Sequence, residues 1–536
     1  MSAVRLVGVH PGAELRRRPR LFVTLAEAFP GVRFEARDAG STVGLDALIE
    51  LGGDREARNA ADAGLRALAA LEPESEAGTA EIVELAAAGL DRRLQGQALP
   101  DRHLSGAAPL QAGRDAEILA RVAGAPVWAR EGGLDLVAVA AAELGETEPL
   151  RDRLRSGRAS ALLPLVELLR ELTAKADWRS PPPRAAFLLD DPNLHWPSYG
   201  FLSLPALGRH ASAHGYHLAL AMVPLDARVA HPGATRILRD HGEMSLCVHG
   251  NDHFGGELGR ARGLPQALAM AAQARRRITA FERRSGVPVS PVMVPPHEEC
   301  SEAMAAALAR TGFAAISMTR PFPWLSPPPR HWLTAAGDGA ALAGWGPADA
   351  GIDGLPVLLR HPLAEPHFSP AELALRAYLD QPLILYGHHD DLADGLDVLA
   401  ERSATVNQLG SVRWGSLEAL AAANFRWRLE DDLLRIRPYS RRVSVEVPAG
   451  ARRVVVDPPW GSEGELVRGS DGKVAAGEPF EITGSGVLEL ELSRADAVAV
   501  DRVSAPPRRP WPLVRRLAGE TRDRIAPARH RLRSRA

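Results

Sequence analysis

Two stretches decide how this chain is read: Phe187-Leu188-Leu189-Asp190-Asp191-Pro192-Asn193 and His249-Gly250-Asn251-Asp252-His253. The first is an apolar run that ends on two adjacent carboxylates. The second closes another apolar run, Met244 to Val248, with two histidines four residues apart. Short continuous apolar runs bounded by polar and turn residues read as strands buried on both faces. Carboxylates and imidazoles gathered at the C-terminal ends of such strands are the donor set a divalent metal ion needs in an α/β barrel. The i, i+4 spacing of His249 and His253 predicts a helical turn just after the strand, with both rings on one face. Adjacent side chains at a strand end point to different sides. One of the two acids is therefore expected to ligate and the other to stay free for proton transfer.

Working outward, Ser180-Pro181-Pro182-Pro183-Arg184 is a stiff break and the clearest domain boundary. After it, strands are predicted over 185–189, 216–223, 244–249, 289–294, 313–317, 355–360 and 382–386, with helices between them, including 264–285 and 301–311. Regular strand–helix alternation over residues 185–424 implies a parallel sheet, closed into a barrel or open. Residues 1–178 read as an α/β accessory domain. Its predicted strands are 4–9, 32–36, 45–51, 126–129 and 134–138, and its predicted helices are 21–29, 116–122 and 161–174. The turn Val9-His10-Pro11-Gly12 follows its first strand, where a doubly wound sheet would bind a ligand, but no GxGxxG is present. From 425 to 503 the pattern turns to β, with six predicted strands and turns such as Pro448-Ala449-Gly450, as in a small antiparallel β-sandwich.

Residues 504–536 form a basic tail. From Arg508 onward there are ten arginines against Glu520 and Asp523, a balance of +8, in a chain whose net charge is −2. The tail reads first as a solvated arginine-rich terminus. Trp511, Leu513, Val514, Leu517 and Ile525 interleave with the arginines, so the alternative is peripheral contact with an anionic membrane. The whole-chain charge gives no argument for nucleic acid. Apolar content of 46% and charged content of 24% are those of a globular protein. With only Cys247 and Cys300 there is no disulfide framework, and both are expected to be small buried residues. No secretory signal and no long uncharged apolar run are seen, which makes the cytoplasm the expected compartment.

The order of motifs resembles the polysaccharide deacetylase superfamily, the NodB-like carbohydrate esterases, over residues 185–424. There a strand-end Asp-Asp, an HxxxH after a later strand, a Pro-rich loop and a late strand ending in His follow one another. Here they stand as Leu189-Asp190-Asp191, His249–His253, Val294-Pro295-Pro296-His297-Glu298, and Leu383-Ile384-Leu385-Tyr386-Gly387-His388-His389-Asp390. The resemblance implies a deformed (β/α) barrel and removal of an N-acetyl group from a sugar or glycan by metal-activated water. It makes Asp190 the general base, Asp191, His249 and His253 the metal ligands, and His388, with His389 second, the general acid. The implied cofactor is a divalent metal, zinc first, with cobalt, nickel or manganese as alternatives.

Two departures stand out. The usual Thr-Phe-Asp-Asp-Gly is Leu-Leu-Asp-Asp-Pro here, and the Arg that usually opens the Pro-rich loop to orient the base is replaced by Met293 or Val294. His297 with Glu298, or Arg360 at a later strand end, are the candidates to take its place. Asp252 is a spare carboxylate expected behind the ligands. Trp196 and Tyr199 would stack on a sugar or pack in the core. Pro296, His297, Glu298 and His389 are expected to line the substrate side, with Phe322, Trp324 and Trp332 as further loop aromatics and His361 and His367 ranked below His388. The rival functions are a catalytically inactive barrel that binds carbohydrate, and a metal-dependent hydrolase of another C–N or a glycosidic bond. The sequence leaves oligomeric state open.

Overall fold

The computed structural model describes residues 4–533 except 30, 75–77, 105–107, 146–147, 149, 156, 175–177, 261–262, 320–348, 353, 459, 461–465, 470–471, 483–485 and 508–509. The aromatics Phe322, Trp324 and Trp332 lie outside the described residues. Two compact units account for the rest.

The first unit comprises residues 4–178 with Ser369–Asp380. Its sheet has nine strands. Val32–Ala36, Arg5–His10, Ala47–Leu51, Arg66–Pro73 and Leu134–Ala140 are parallel neighbours, continued by antiparallel Ala125–Glu131, Glu117–Val122, Glu81–Leu85 and Ala98–Asp101. The helix expected over 116–122 is thus a strand. Ala123 and Gly124 both adopt positive φ, 47° and 82°, in a two-residue hairpin turn that folds Glu117–Val122 onto Ala125–Glu131. Tertiary pairing overrides the helix preference of Ala-Glu-Ile-Leu-Ala-Arg. The helix Pro370–Tyr378 belongs to this unit's core, where Arg170 lies 3.7 Å from the Tyr378 ring centroid and the Tyr378 hydroxyl donates to Glu167 at 2.6 Å.

In the second unit, seven parallel strands close on themselves: Arg184–Asp190, Leu218–Met222, Met244–His249, Val289–Val294, Ala315–Met318, Leu355–Pro362, Leu383–Gly387, and back to the first. These are the seven predicted strands, shifted by one or two residues at their ends. Their apolar runs are buried on both sides, inward against one another and outward against helices. Ser301 caps the helix Glu302–Arg310 by accepting from the Met304 N–H, and Gly286, at φ 67°, ends the helix Leu264–Ser285. Short Arg413–Trp414 and antiparallel Asp349–Ile352 add to the barrel wall.

Beyond the barrel, two four-stranded sheets share one apolar core that includes Phe425, Leu434, Ile436, Val443, Val454 and Leu490. Leu466–Gly469 and Gly472–Ala475 pair antiparallel there, two strands that are not among the six predicted. The basic tail, read as solvated, is instead a 23-residue helix, Trp511–Arg533, whose polar residues engage the barrel loops. No helix among the described residues is long and apolar enough to cross a membrane.

Candidate metal centre

Register puts the chemistry at one level. Asp190 pairs with Ala221, Met222 with Val248, and His249 with Val294, so the C-terminal ends of the first four strands finish together. Asp190 is the last residue of its strand and faces the barrel interior, 3% exposed. Asp191 breaks the ladder with φ 71°, and Pro192 follows, so its carboxylate turns to the mouth. The Asn193 side chain steadies this turn by accepting from the His195 N–H at 3.2 Å.

The two histidines are brought together by a loop and not by the expected helical turn. Gly250 has φ 65° and His253 φ 53°, which no α-helix contains. Glu257 holds this loop: one of its oxygens accepts from the N–H groups of Asn251 at 2.7 Å, Asp252 at 3.0 Å and His253 at 2.9 Å. A side chain at Gly250 would place a Cβ 2.7 Å from Pro296, so glycine is required for its φ and for this close approach. Asp252 pairs with Arg277, which also donates to the Asn251 carbonyl, and so fastens the loop from behind. Glu257 was missed from sequence. Its only signal is its place four residues after His253.

The result is one convergent donor set. Asp191 Oδ1 lies 3.0 Å from His253 Nε2 and 3.5 Å from His249 Nε2, and the three donor atoms sit within 4.8 Å of one another. Among the described residues this is the one such cluster. His249 Nδ1 lies 2.9 Å from the Val294 carbonyl oxygen. That contact requires Nδ1–H to donate and leaves Nε2 with a bare lone pair. Burial lowers the pKa of both rings, His253 to about 4, so both are neutral near pH 7. Burial would raise the Asp191 carboxyl, but the neighbouring His249, His253, Arg516 and His388 hold it down at about 2. Two neutral imidazoles and an ionised carboxylate with open lone pairs are what a divalent cation requires, so the residues present fit such an ion.

Asp190 is held differently. Arg360 Nη1 donates to both of its carboxylate oxygens, at 2.9 and 2.8 Å. Arg360 stands at the level of Ile384 and hence of Ala186, four residues below Asp190, and reaches up through the barrel interior. Its Nε donates to Glu298 at 2.8 Å, and Glu298 also accepts from the Thr319 N–H at 2.8 Å. Tyr386 lies under the guanidinium, 4.2 Å from ring centroid to carbon. Burial would lower the Arg360 pKa, and Asp190 and Glu298 more than reverse that. Of the candidates for the missing loop arginine, Arg360 is the one against Asp190. Glu298, expected on the substrate side, serves Arg360 instead.

The remaining candidates are scattered around the mouth. His388 is exposed, with its backbone N–H donating to Asp391 at 2.7 Å. His389 is buried against Tyr199 and Phe201, at ring distances of 5.2 and 5.9 Å. Pro296 is buried under the histidine loop, and the exposed His297 ring is 5.2 Å from that of His253. His361 is buried within its strand. Cys247 and Cys300 are buried free thiols, with Cys300 pushed up to about 12 by burial.

The tail helix was not foreseen here. Arg516 Nη1 stands 3.4 Å from Asp191 Oδ1, and its Nε donates at 3.0 Å to Asp226, itself a buried carboxylate. Glu520 Oε2 is 2.5 Å from His195 Nδ1, and Asp523 accepts from the Tyr199 hydroxyl at 2.7 Å. Tyr199 is thereby buried beneath the helix, and Trp196, 48% exposed, lies between His231 and Arg524, 5.4 and 4.9 Å away.

No protein-family model matches the sequence, and no curated protein does. Solved structures similar to a segment of about 45% of the chain include polysaccharide deacetylases, family 4 carbohydrate esterases and a pseudoenzyme of that family. A putative polysaccharide deacetylase from Mycobacterium smegmatis is 17% identical over 46% of this chain and 94% of that one, with a TM-score of 0.30. A family 4 carbohydrate esterase from Streptomyces lividans, in complex with acetate, is 15% identical over 44% and 92%, with a TM-score of 0.26. A family 4 pseudoenzyme from Bacillus anthracis is 9% identical over 44% and 68%, with a TM-score of 0.26.

Proposed function

We propose that residues 185–424 form a metal-dependent hydrolase that removes an N-acetyl group from a sugar or glycan. The observation that carries this reading is the pairing of two adjacent acids in two states. Asp191 converges with two neutral imidazoles, while Asp190 is clamped beside them by Arg360. Asp191, His249 and His253 would hold the divalent ion, zinc being the first choice for two nitrogen ligands and one carboxylate. When bound, such an ion supplies a Lewis acid that polarises the amide carbonyl and makes water acidic near neutral pH. Asp190 accepts the proton of the attacking water, its carboxylate fixed in orientation by Arg360. His388 gives a proton to the leaving amine as the C–N bond breaks, so acetate and the free amino sugar leave. His297 and Trp196 border the sugar, whereas His389 is packed against Tyr199 and Phe201. Residues 425–503 are a β-sandwich and residues 1–178 an accessory domain in this reading, with the protein acting in the cytoplasm.

A second reading is a catalytically inactive barrel that binds carbohydrate. One observation favours it: a guanidinium already stands 3.4 Å from the ligand carboxylate. Elemental analysis of the purified protein, beside the double variant His249→Ala/His253→Ala, tests the ion. Acetate release from N-acetylglucosamine oligomers tests the reaction. The hydrolase reading expects one divalent ion in the wild type, none in the double variant, and a loss of about 10²–10⁴-fold in turnover for Asp190→Asn with the ion retained. Ion binding without any acetate release would favour the inactive barrel.

A further inference from the structure

The helix Trp511–Arg533 is polar on the wrong side for an ordinary surface helix. Its inward face carries Arg516, Glu520, Asp523 and His530, which meet Asp226, His195, Tyr199 and Asp394. Its outward face is apolar. Val514, Leu517, Thr521, Ile525, Ala528 and Leu532 recur at steps of three and four, with Thr521 the one polar member of the stripe along a helix of 3.6 residues per turn. Val514, Leu517, Ile525 and Leu532 are 51%, 48%, 43% and 70% exposed, and Trp511 adds an exposed indole at the start. A soluble helix that packs on its own protein places these two faces the other way round.

Charge is sorted in the same sense. Both acids of the helix, Glu520 and Asp523, are turned inward and paired. Arg515, Arg522 and Arg529 follow one border of the apolar stripe, and Arg522 and Arg529 are exposed. The outer surface is therefore an apolar stripe bordered by positive charge with no acidic group on it. That combination suits a plane of acyl chains beneath anionic headgroups, where each arginine meets phosphate as the stripe enters the interface. A second copy of the same face would bring arginine against arginine.

We infer that the outward face of the helix Trp511–Arg533 binds the surface of an anionic lipid bilayer, lying in the interface without crossing it. The helix lies against the Asp191 end of the barrel, so, resting on the function proposed above, the bound protein carries its candidate metal centre at the membrane surface. Amphiphilic substrates with a lipid tail would be met there.

Co-sedimentation of the full-length protein with lipid vesicles tests this directly. The probes are vesicles of phosphatidylcholine alone and vesicles containing about 30 mol% phosphatidylglycerol. Binding should be at least about tenfold tighter to the anionic vesicles and should weaken as salt rises. Val514→Asp with Ile525→Asp should abolish it. Arg522→Gln with Arg529→Gln should weaken it by about fivefold for each charge removed. All four residues are exposed and outside the metal centre, so metal content should stay at the wild-type value and confirm folded protein. Equal binding to both vesicle types, or unchanged binding by the Val514→Asp/Ile525→Asp variant, would overturn the inference. So would a wild-type dimer in solution that this variant makes monomeric, because the occupant would then be a second copy.

Discussion

Two buried acidic sites, one in each unit, show what separates a structural ionic cluster from a site that can act. In the nine-stranded sheet, Asp135 is 0% exposed and fully engaged: Arg66 at 2.8 Å, Arg130 at 2.9 Å and the Trp128 indole N–H at 3.3 Å take up both carboxylate oxygens. In the barrel the same chemistry is divided between neighbours. Asp190 is satisfied by Arg360, as Asp135 is by its arginines. Asp191 is left with lone pairs aimed at two imidazoles that burial keeps neutral. A carboxylate saturated by donors has no lone pair left for a ligand, whereas an ionised carboxylate among neutral nitrogen donors attracts a cation.

The largest effect that could break this comparison is on stability. Arg360→Met leaves the buried Asp190 and the half-buried Glu298 without their cation, and Asp135→Ala does the reverse to Arg66 and Arg130. Each should cost about 3–5 kcal/mol in urea unfolding, with Asp135→Ala at the lower end because its arginines reach solvent. Only Arg360→Met should also lower turnover. If Asp135→Ala altered turnover or metal content, the two clusters would not be separate in role.

A smaller effect sharpens the contrast from the metal side. A divalent ion at about a hundred times its dissociation constant should stabilise the wild type by about 2.7 kcal/mol, read as a rise in Tm. Asp191→Ala should lose that rise, whereas Asp135→Ala should keep it. A metal-dependent rise that persists in Asp191→Ala would place the ion elsewhere.

The smallest effect concerns two histidines that burial depresses alike. His217, with its Nε2 2.9 Å from the Ser245 hydroxyl, is lowered to about 4, as His253 is. The unfolded chain takes up a proton near pH 6.5 and the folded chain only near 4. Stability should therefore fall as pH falls through that window, by about 1–2 kcal/mol for His217 after solvent screening. His217→Gln should remove this part of the slope in urea unfolding at pH 6.5, 5 and 4, with or without metal. An unchanged slope would mean that His217 is not neutral in the fold.

Much of the barrel was legible because parallel strands buried on both faces write themselves as short apolar runs, and all seven stood at their expected places. The ends of those runs named Asp190, Asp191, His249 and His253, since polar residues closing a buried strand have few places to go but the barrel mouth. What failed was local geometry. The i, i+4 spacing of the histidines suggested a helical turn, while Gly250 in the left-handed region and the Glu257 carboxylate make a loop that reaches the same convergence. Residues 116–122 had helix-forming composition, and a hairpin turn at Ala123-Gly124 made them a strand.

By itself, then, the sequence determined the alternation of strands and helices, the acids and histidines at the strand ends, and the basic charge of the tail, because periodicity and residue chemistry are local properties. Only the tertiary structure decided that Arg360 clamps Asp190 from four residues below, that Glu298 serves this arginine, and that Arg516 arrives beside Asp191 from 325 positions away. Those partners are chosen by barrel stagger and helix docking, long-range geometries that leave no mark on the spacing of residues along the chain.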